Sequence, residues 1–223
     1  KKGYDLRDDA FSQIYDGQNT DSERIRRAVR ETAGQVLVYD GKLLPGYFHS
    51  TCAGRTTSPG SVWGSSAPTP KPLRGVRDRW CKISPHYKWT AYFRTADILK
   101  NLQRKGINAL RISRIRPGLR DAGGFLRTLD LMTEGGWRGL RTHAFRIWMG
   151  AAELKSTKIR RIVRRRKGFH FIGRGYGHGV GLCQWGARGQ AERGRGYRRI
   201  LRHYFPGAKI RLADPGWLSR LEP

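Results

Sequence analysis

Acidic residues are scarce in this sequence. Its 223 residues include 17 Asp and Glu against 45 Lys and Arg, which gives a formal net charge of +28 at pH 7. Such a surplus attracts polyanions, whether nucleic acid, anionic lipid surfaces or acidic wall polymers, and it does not choose among them. The basic residues concentrate between Lys155 and Arg211, where Glu192 is the one acid. Basic runs such as residues 164–167 are most often solvated faces, so charge alone predicts no specific nucleic-acid site.

Long apolar runs are also missing. The sequence has no stretch of about 18 or more apolar residues, and residues 1–15 show no apolar segment before a small-residue cleavage site. We therefore expect neither a membrane span nor an export signal within this sequence. The length allows a substantial core, in one domain or in two small lobes.

Cysteine is limited to Cys52, Cys81 and Cys183, so any intramolecular disulfide leaves one thiol over. Three thiols completed by a histidine such as His49 also suit zinc, although the gap from Cys52 to Cys81 matches no zinc-finger spacing. The sequence leaves three interpretations of the cysteines: a zinc site, a Cys52 to Cys81 disulfide, or buried free thiols. Cys183 and His178 are also candidates for a nucleophilic catalytic pair. No neighbouring residue in the sequence indicates an activating base or an oxyanion pocket for such a pair.

Local patterns predict an α+β fold. Ser22 and Gly34 bracket a helix, Asp40-Gly41 predicts a two-residue hairpin turn, and Thr95 begins a second helix. The Gly- and Pro-rich residues 52–85 are either an ordered loop or a linker, and their tryptophans favour the ordered form. Because strands and helices come in clusters, we expect mainly antiparallel sheet or a small barrel-like lobe with several packed helices. We assign residues 1–223 to a single domain, which two lobes could build, with a less typical middle near residues 90–165.

Residues 173–189, GRGYGHGVGLCQWGARG, place a glycine at every second position before a helical pattern begins. The spacing does not fit a dinucleotide-binding fingerprint, which needs glycines at i, i+2 and i+5. An extended segment would carry His178 on one face and leave the other bare, so that a backbone or a sugar ring can approach closely. Alternatively, glycines with positive φ would form a tight corner that presents His178 before the helix. A packing corner with a purely structural histidine is the third interpretation.

Four blocks of the sequence together resemble the stage II sporulation protein D family, also called the SpoIID/LytB or amidase-enhancer family. The order and spacing of the blocks agree from about residue 3 to residue 211, and the middle agrees only in general pattern. The blocks are YDLRDDAFSQIYDG, AVRETAGQVLVYDGKLLPGYFHSTCAGRTTSPGSVWG, CKISPHYKW and GRGYGHGVGLCQWGARGQAERGRGYRRILRHYFPGAKI.

The resemblance implies a bacterial, extracytoplasmic protein that acts on the glycan strands of peptidoglycan. It implies either a lytic transglycosylase that cleaves denuded glycan or a non-catalytic enhancer of an N-acetylmuramoyl-L-alanine amidase, with anionic wall polymers as further partners of the basic surface. It places the catalytic glutamate before Lys1, so the sequence is expected to be an N-terminally truncated copy that binds glycan without cleaving it. The residues expected to bind glycan are Ser12, Gln13, His49, Ser50, Thr51, His178, Gln184 and Trp185. Those expected to hold zinc are His49, Cys52 and Cys81.

Overall fold

The computed structural model describes residues 22–64 and 67–213, so Ser12 and Gln13 lie outside the described residues. Six helices and eleven strands occur in this part of the chain, which confirms the α+β class. None of the sheets formed by these residues closes into a barrel, so the antiparallel-sheet alternative is the one observed. No helix in the described ranges is long and apolar enough to cross a membrane.

The helices are short and are separated by strands and turns. They are α1 (Glu23–Glu31), α2 (Pro59–Trp63), α3 (Thr95–Gln103), α4 (Thr142–Trp148), α5 (Gln184–Ala191) and α6 (Tyr197–Tyr204). The strands are β1 (Gln35–Tyr39), β2 (Lys42–Leu43), β3 (Phe48–His49), β4 (Trp89–Arg94), β5 (Arg114–Pro117), β6 (Thr128–Thr133), β7 (Gly136–Arg141), β8 (Ile159–Arg165), β9 (Gly168–Gly173), β10 (Leu182–Cys183) and β11 (Lys209–Leu212). Two 3-10 turns, Lys71–Leu73 and Cys81–Ile83, lie in the loop between β3 and β4.

The described residues form two compact units, residues 22–36 with 211–213 and residues 37–210. In the first unit, Glu23 in the opening turn of α1 accepts a hydrogen bond from Arg30 at 2.6 Å. An acid at the N-terminus and a base at the C-terminus both complement the helix dipole. The segment after α1 turns at Gly34, where φ is +68°, as the sequence predicts.

The second unit begins with the expected hairpin. Strands β1 and β2 pair in the register Val38 to Leu43. The connecting residues Asp40 and Gly41 have φ values of 52° and 71°. Two successive positive φ angles define the turn type that matches the twist of a two-residue hairpin. The prediction from Asp40-Gly41 is therefore confirmed.

The larger core of the second unit lies between two antiparallel sheets and the helices α3 and α4. The sheets have the strand orders β4-β9-β8 and β5-β6-β7. Phe145 of α4 and Phe171 of β9 are fully buried there, beside Leu129 and Leu131 of β6. Burial of alternate positions along β6 is the period-two pattern of a strand with one face in the core. Both sheets are built from residues 89–173, which lie between β3 and β10 in the sequence.

A smaller core lies beneath the segments that carry the predicted site. Its fully buried members include the three cysteines together with Tyr204 and Phe205, which pack from the end of α6. The segment between residues 52 and 85 contributes Cys52, Leu73 and Cys81 to this core. It contains α2 and both 3-10 turns, so its described residues form the ordered alternative rather than a linker.

Candidate functional site

The structure joins the two blocks that the sequence analysis singled out. Strands β3 and β10 pair in parallel, so Leu182 lies opposite Phe48 and Cys183 opposite His49. Beyond this short ladder, Thr51 exchanges two backbone hydrogen bonds with Tyr176, at 2.8 and 2.9 Å. Residues 47–52, here called the HST segment, and residues 175–181, the glycine segment, therefore lie side by side although about 125 residues separate them in sequence.

The glycine segment is a series of tight bends rather than a regular strand. Gly175, Gly177, Gly179 and Gly181 all have positive φ, between 72° and 101°. A Cβ atom on Gly177 would lie 2.8 Å from Cβ of His49, and one on Gly181 would overlap the carbonyl group of Tyr47. Of the geometries that the sequence left open, the structure shows the tight corner. Glycine is needed both for the backbone angles and for the close approach to the HST segment.

Five rings from four elements surround the place where the two segments meet. This ring cluster consists of Tyr47, His49, Trp63, His143 and His178. The centroid of the His178 ring lies 5.6 Å from that of His49 and 5.3 Å from that of Trp63. Trp63 lies in turn 5.1 Å from Tyr47 and 6.2 Å from His143. Trp63 is 39% exposed while His49 is buried, so the cluster has a closed floor and an open aromatic rim.

Hydrogen bonds to Val180 fix both central imidazoles. Nδ1 of His49 lies 3.0 Å from the Val180 carbonyl oxygen, so Nδ1 carries the proton and donates. Nε2 of His49 is then an acceptor, and it has no hydrogen-bond partner among the described residues. Nδ1 of His178 accepts from the Val180 N–H at 3.0 Å. The proton of His178 is therefore on Nε2, which accounts for its hydrogen bond to the Phe48 backbone.

The three histidines of the ring cluster are uncharged near neutral pH. Burial lowers the pKa of His49 from 6.5 to about 3, and the neighbouring His178 lowers it further. Burial also lowers the pKa of His178 to about 4, against the effect of its bond to Phe48. The pKa of His143 falls to about 4 because of burial and the nearby Arg146 and Arg141. Neutral imidazoles beside aromatic rings suit the hydroxyl-bearing part of a ligand.

The residues predicted to bind glycan separate into two groups in the structure. His49 and His178 lie in the ring cluster, and Ser50 and Thr51 follow directly in the HST segment. The Thr51 hydroxyl is buried and bonded to Ser84 at 2.6 Å, which ties it to the fold. Gln184 is the exposed first residue of α5. Trp185 lies against the guanidinium of Arg188, 4.8 Å from the ring centroid, rather than in the ring cluster.

Sequence reasoning missed three members of the ring cluster, Tyr47, Trp63 and His143. Tyr47 and Trp63 lie within the blocks that carry the family resemblance, so their position was the available signal. His143 is the second residue of α4, in the middle of the chain where the resemblance is general. No local pattern marks it, because only the packing of α4 against α2 brings it to Trp63.

A second cluster, of three thiols and a carboxylate, lies in the smaller core. Ligand atoms of Cys52, Asp78, Cys81 and Cys183 all fall within 4.8 Å of one another, and all four residues are buried. His49, expected beside Cys52 and Cys81, is not among these four and donates to Val180 instead. Burial raises the pKa of Cys52 and Cys183, whereas hydrogen bonds from these two thiols lower the pKa of Cys81.

Basic side chains line a separate groove on the β4-β9-β8 sheet. Its volume is about 860 Å³, and four cations surround it. The lining residues are Lys88, Trp89, Thr90, Arg160, Arg161, Ile172, Gly173 and Arg174. The groove contains no acid among these residues, so its charge favours an anionic ligand.

Comparisons with known proteins identify relatives of this sequence. A family model described as stage II sporulation protein matches residues 1–39. Over 87% of its length the chain is 30% identical to "Stage II sporulation protein D" of Bacillus subtilis (strain 168), and over 86% it is 30% identical to the protein of that name in Bacillus amyloliquefaciens. Over 94% of its length it is 26% identical to "Amidase enhancer" of Bacillus subtilis (strain 168).

The chain spans about half the length of the curated sporulation proteins that it matches, 53% and 52%, and 36% of the amidase enhancer. The matches cover both the HST segment and the glycine segment, because they extend over most of the chain. They confirm the resemblance that the sequence predicts: over most of its length, this chain is related to the stage II sporulation protein D family.

Proposed function

We propose that the chain binds the glycan strands of bacterial peptidoglycan at the ring cluster. In this proposal the bound strands are cleaved outside the cytoplasm by the lytic transglycosylase reaction, and the chain takes part in that cleavage. The observation that carries this proposal is the meeting of the HST segment and the glycine segment at a half-open cluster of aromatic rings and neutral imidazoles. The names of the relatives support a cell-wall-related function in sporulation.

The ring cluster suits a sugar because its parts match the two faces of a pyranose. The exposed face of Trp63 offers an aromatic surface for the C–H face of the ring, and Tyr47 lies beside it. The neutral imidazole of His143, whose Nδ1 has no hydrogen-bond partner among the described residues, can exchange a hydrogen bond with a hydroxyl group without the desolvation that a charged group would require. The bends of the glycine segment leave no side chains at four positions beside these rings.

The charge of the basic groove suits the carboxylates of denuded glycan. Removal of a stem peptide by amide hydrolysis leaves a free carboxylate on each muramoyl residue, so a denuded strand is a polyanion. A chain with a net charge of +28 attracts such a strand, and Arg160 and Arg161 place two of these charges in the groove. Anionic wall polymers would be attracted to the same surface.

Glycosidic cleavage also needs a general acid or base within hydrogen-bond reach of the scissile oxygen. Of the carboxylates that the structure describes, Asp78 belongs to the thiol cluster and Asp121 accepts hydrogen bonds from the N–H groups of Gly123 and Phe125. We therefore assign the catalytic role to neither, and keep the glutamate that the resemblance places before Lys1 as the proposed acid. The described residues would supply binding and orientation.

The experiment measures binding of the chain to purified glycan strands, denuded or intact. Trp63→Ala should weaken binding to denuded strands by up to about tenfold, since an aromatic contact contributes roughly 0.5–1.5 kcal/mol beyond its buried area. Trp137→Ala is the matched control, because Trp137 is 38% exposed but lies on β7 against Arg116, away from the ring cluster. Equal affinities of the two variants, or no binding by the unaltered chain, would contradict the proposal.

A second candidate function is the enhancement of a separate amidase, favoured by the relative named "Amidase enhancer". The two functions differ in what releases glycan fragments. With a chain that includes the expected glutamate, anhydro-muramoyl products formed without any amidase indicate a lytic enzyme. Release that occurs only when an N-acetylmuramoyl-L-alanine amidase is added indicates a regulator.

A further inference from the structure

Three separate parts of the chain bring four metal-binding groups together in the smaller core. Cys52 ends the HST segment, Asp78 lies just before the second 3-10 turn, which Cys81 begins, and Cys183 immediately precedes α5. The three cysteine residues are 0% exposed, and Asp78 is 1% exposed. This buried set of three thiols and one carboxylate has the composition of a tetrahedral metal site. Such a site suits a borderline-soft ion, of which zinc is the common example.

Two distances between these groups are close to those of a tetrahedral centre, and all four ligand atoms lie within 4.8 Å of one another. Zinc–sulfur bonds of about 2.3 Å at a tetrahedral angle place two sulfurs about 3.8 Å apart, and a zinc–oxygen bond of about 2.0 Å places sulfur and oxygen about 3.5 Å apart. The sulfurs of Cys52 and Cys81 are 3.7 Å apart. Sγ of Cys52 lies 3.2 Å from Oδ2 of Asp78. A disulfide would instead need a sulfur–sulfur distance of about 2.05 Å and would leave Cys183 unpaired.

Hydrogen-bond donors point at two of the four ligand groups, Cys183 and Asp78. The backbone N–H groups of Cys52 and Gly186 point at the sulfur of Cys183, at 3.3 and 3.4 Å. The Tyr204 hydroxyl donates to Oδ2 of Asp78 at 2.9 Å. Hydrogen bonds of this kind orient metal ligands and hold them in their deprotonated form.

Positive charge is also provided next to the cluster. Nζ of Lys158 lies 3.0 Å from the carbonyl oxygens of both Cys52 and Ala53. Cys183 is the N-cap of α5, so the positive end of that helix dipole faces its sulfur. Three thiolates and a carboxylate around Zn²⁺ carry a net charge of −2, which Lys158 and the helix partly offset.

We propose that Cys52, Asp78, Cys81 and Cys183 bind one zinc ion as a closed, structural centre. Four protein ligands leave no position for substrate or activated water, so the ion acts on the fold rather than on a reaction. It would tie the end of the HST segment to the start of α5 and so hold the two segments of the ring cluster in register. His49 is a neighbour of this centre and not a ligand. The proposal does not depend on glycan binding, because metal content is measured without substrate.

The experiment measures the zinc content of the chain, expressed without a polyhistidine tag and purified under reducing conditions without chelator. We expect about one zinc per chain, a loss of zinc in Cys183→Ser and Asp78→Asn, and full zinc content in the control His49→Gln. Removal of zinc by a strong chelator should lower the Tm, and added zinc should restore it.

Cobalt substitution of the unaltered chain tests the site even where a variant fails to fold. A tetrahedral centre with three thiolates should give strong thiolate-to-cobalt charge transfer together with the ligand-field bands of four-coordinate cobalt. The proposal is overturned by a metal-free chain whose three thiols react fully once unfolded, or by a Cys52 to Cys81 disulfide in unreduced peptide maps. Zinc retained by folded Asp78→Asn, or lost from folded His49→Gln, would overturn the assigned ligands.

Discussion

Gly181→Ala tests whether the close approach of the glycine segment to the HST segment is essential to the fold. Gly181 has a φ of +72°, and a Cβ there would overlap the carbonyl group of Tyr47. That carbonyl oxygen cannot move away freely, because it accepts the N–H of Leu182 at 2.9 Å. The substitution therefore forces either a strained backbone with a steric overlap or the loss of a hydrogen bond between the two segments.

Two contributions set the size of the effect. Placing alanine in the left-handed region costs about 1 kcal/mol relative to glycine. Forcing an extra methyl group into a packed site costs about 1–3 kcal/mol more. We expect Gly181→Ala to lower the free energy of unfolding by about 2–4 kcal/mol, a large share of the ~5–15 kcal/mol that stabilises a typical domain.

Gly106→Ala is the matched control for this experiment. Gly106 has nearly the same φ, +73°, but no atom lies within 4 Å of its added Cβ. Only the backbone contribution applies, so the expected loss is about 1 kcal/mol. Urea denaturation followed by circular dichroism gives both values. A difference of less than about 0.5 kcal/mol between the two variants would refute the close-approach explanation.

Two further predictions concern charge. Because the folded-state pKa values of His49, His143 and His178 lie near 3, 4 and 4, below their ordinary 6.5, their contribution to stability is complete above about pH 6.5 and is lost as the pH falls towards 4. At about pH 5.5 the loss of unfolding free energy is about 1 kcal/mol for buried His49 and less for the two half-buried rings. The urea midpoint should therefore be lower at pH 5.5 than at pH 7, and this difference should be smaller in His49→Gln. Replacing Arg160 and Arg161 together by alanine should weaken binding of an anionic wall polymer and flatten its dependence on salt, measured over a salt series; unchanged salt dependence would remove the basic groove from the binding surface.

Local chemistry made much of the fold predictable. A two-residue turn is decided by its own residues, so Asp40-Gly41 correctly predicted the hairpin. The bounds of α1 and α3 likewise follow from nearby glycines, and α3 ends three residues before Gly106. Strand β7 was not predicted, because Gly136 and Gly139 weaken its pattern and pairing with β6 alone supports it.

The candidate site was only partly predictable, because long-range packing assembles it. The sequence indicated His49 and His178 through their distinctive blocks, and it left two geometries for the glycines. It could not show that Asp78 joins the cysteines, since a single Asp among basic residues carries no spacing signal. Nor could it show that His143 reaches Trp63, because that contact depends on how two helices from distant parts of the chain pack.

The pairing of β3 with β10 also determines when the site can exist. His49 and Cys183 lie opposite each other after a separation of 134 residues along the chain, and both sheets of the larger core fall within the intervening loop. Closing so long a loop is entropically costly unless its contents are already compact. The sheets should therefore form first, and the ring cluster last. A nascent chain that has emerged only as far as β9 would hold a nearly complete core and none of the paired site.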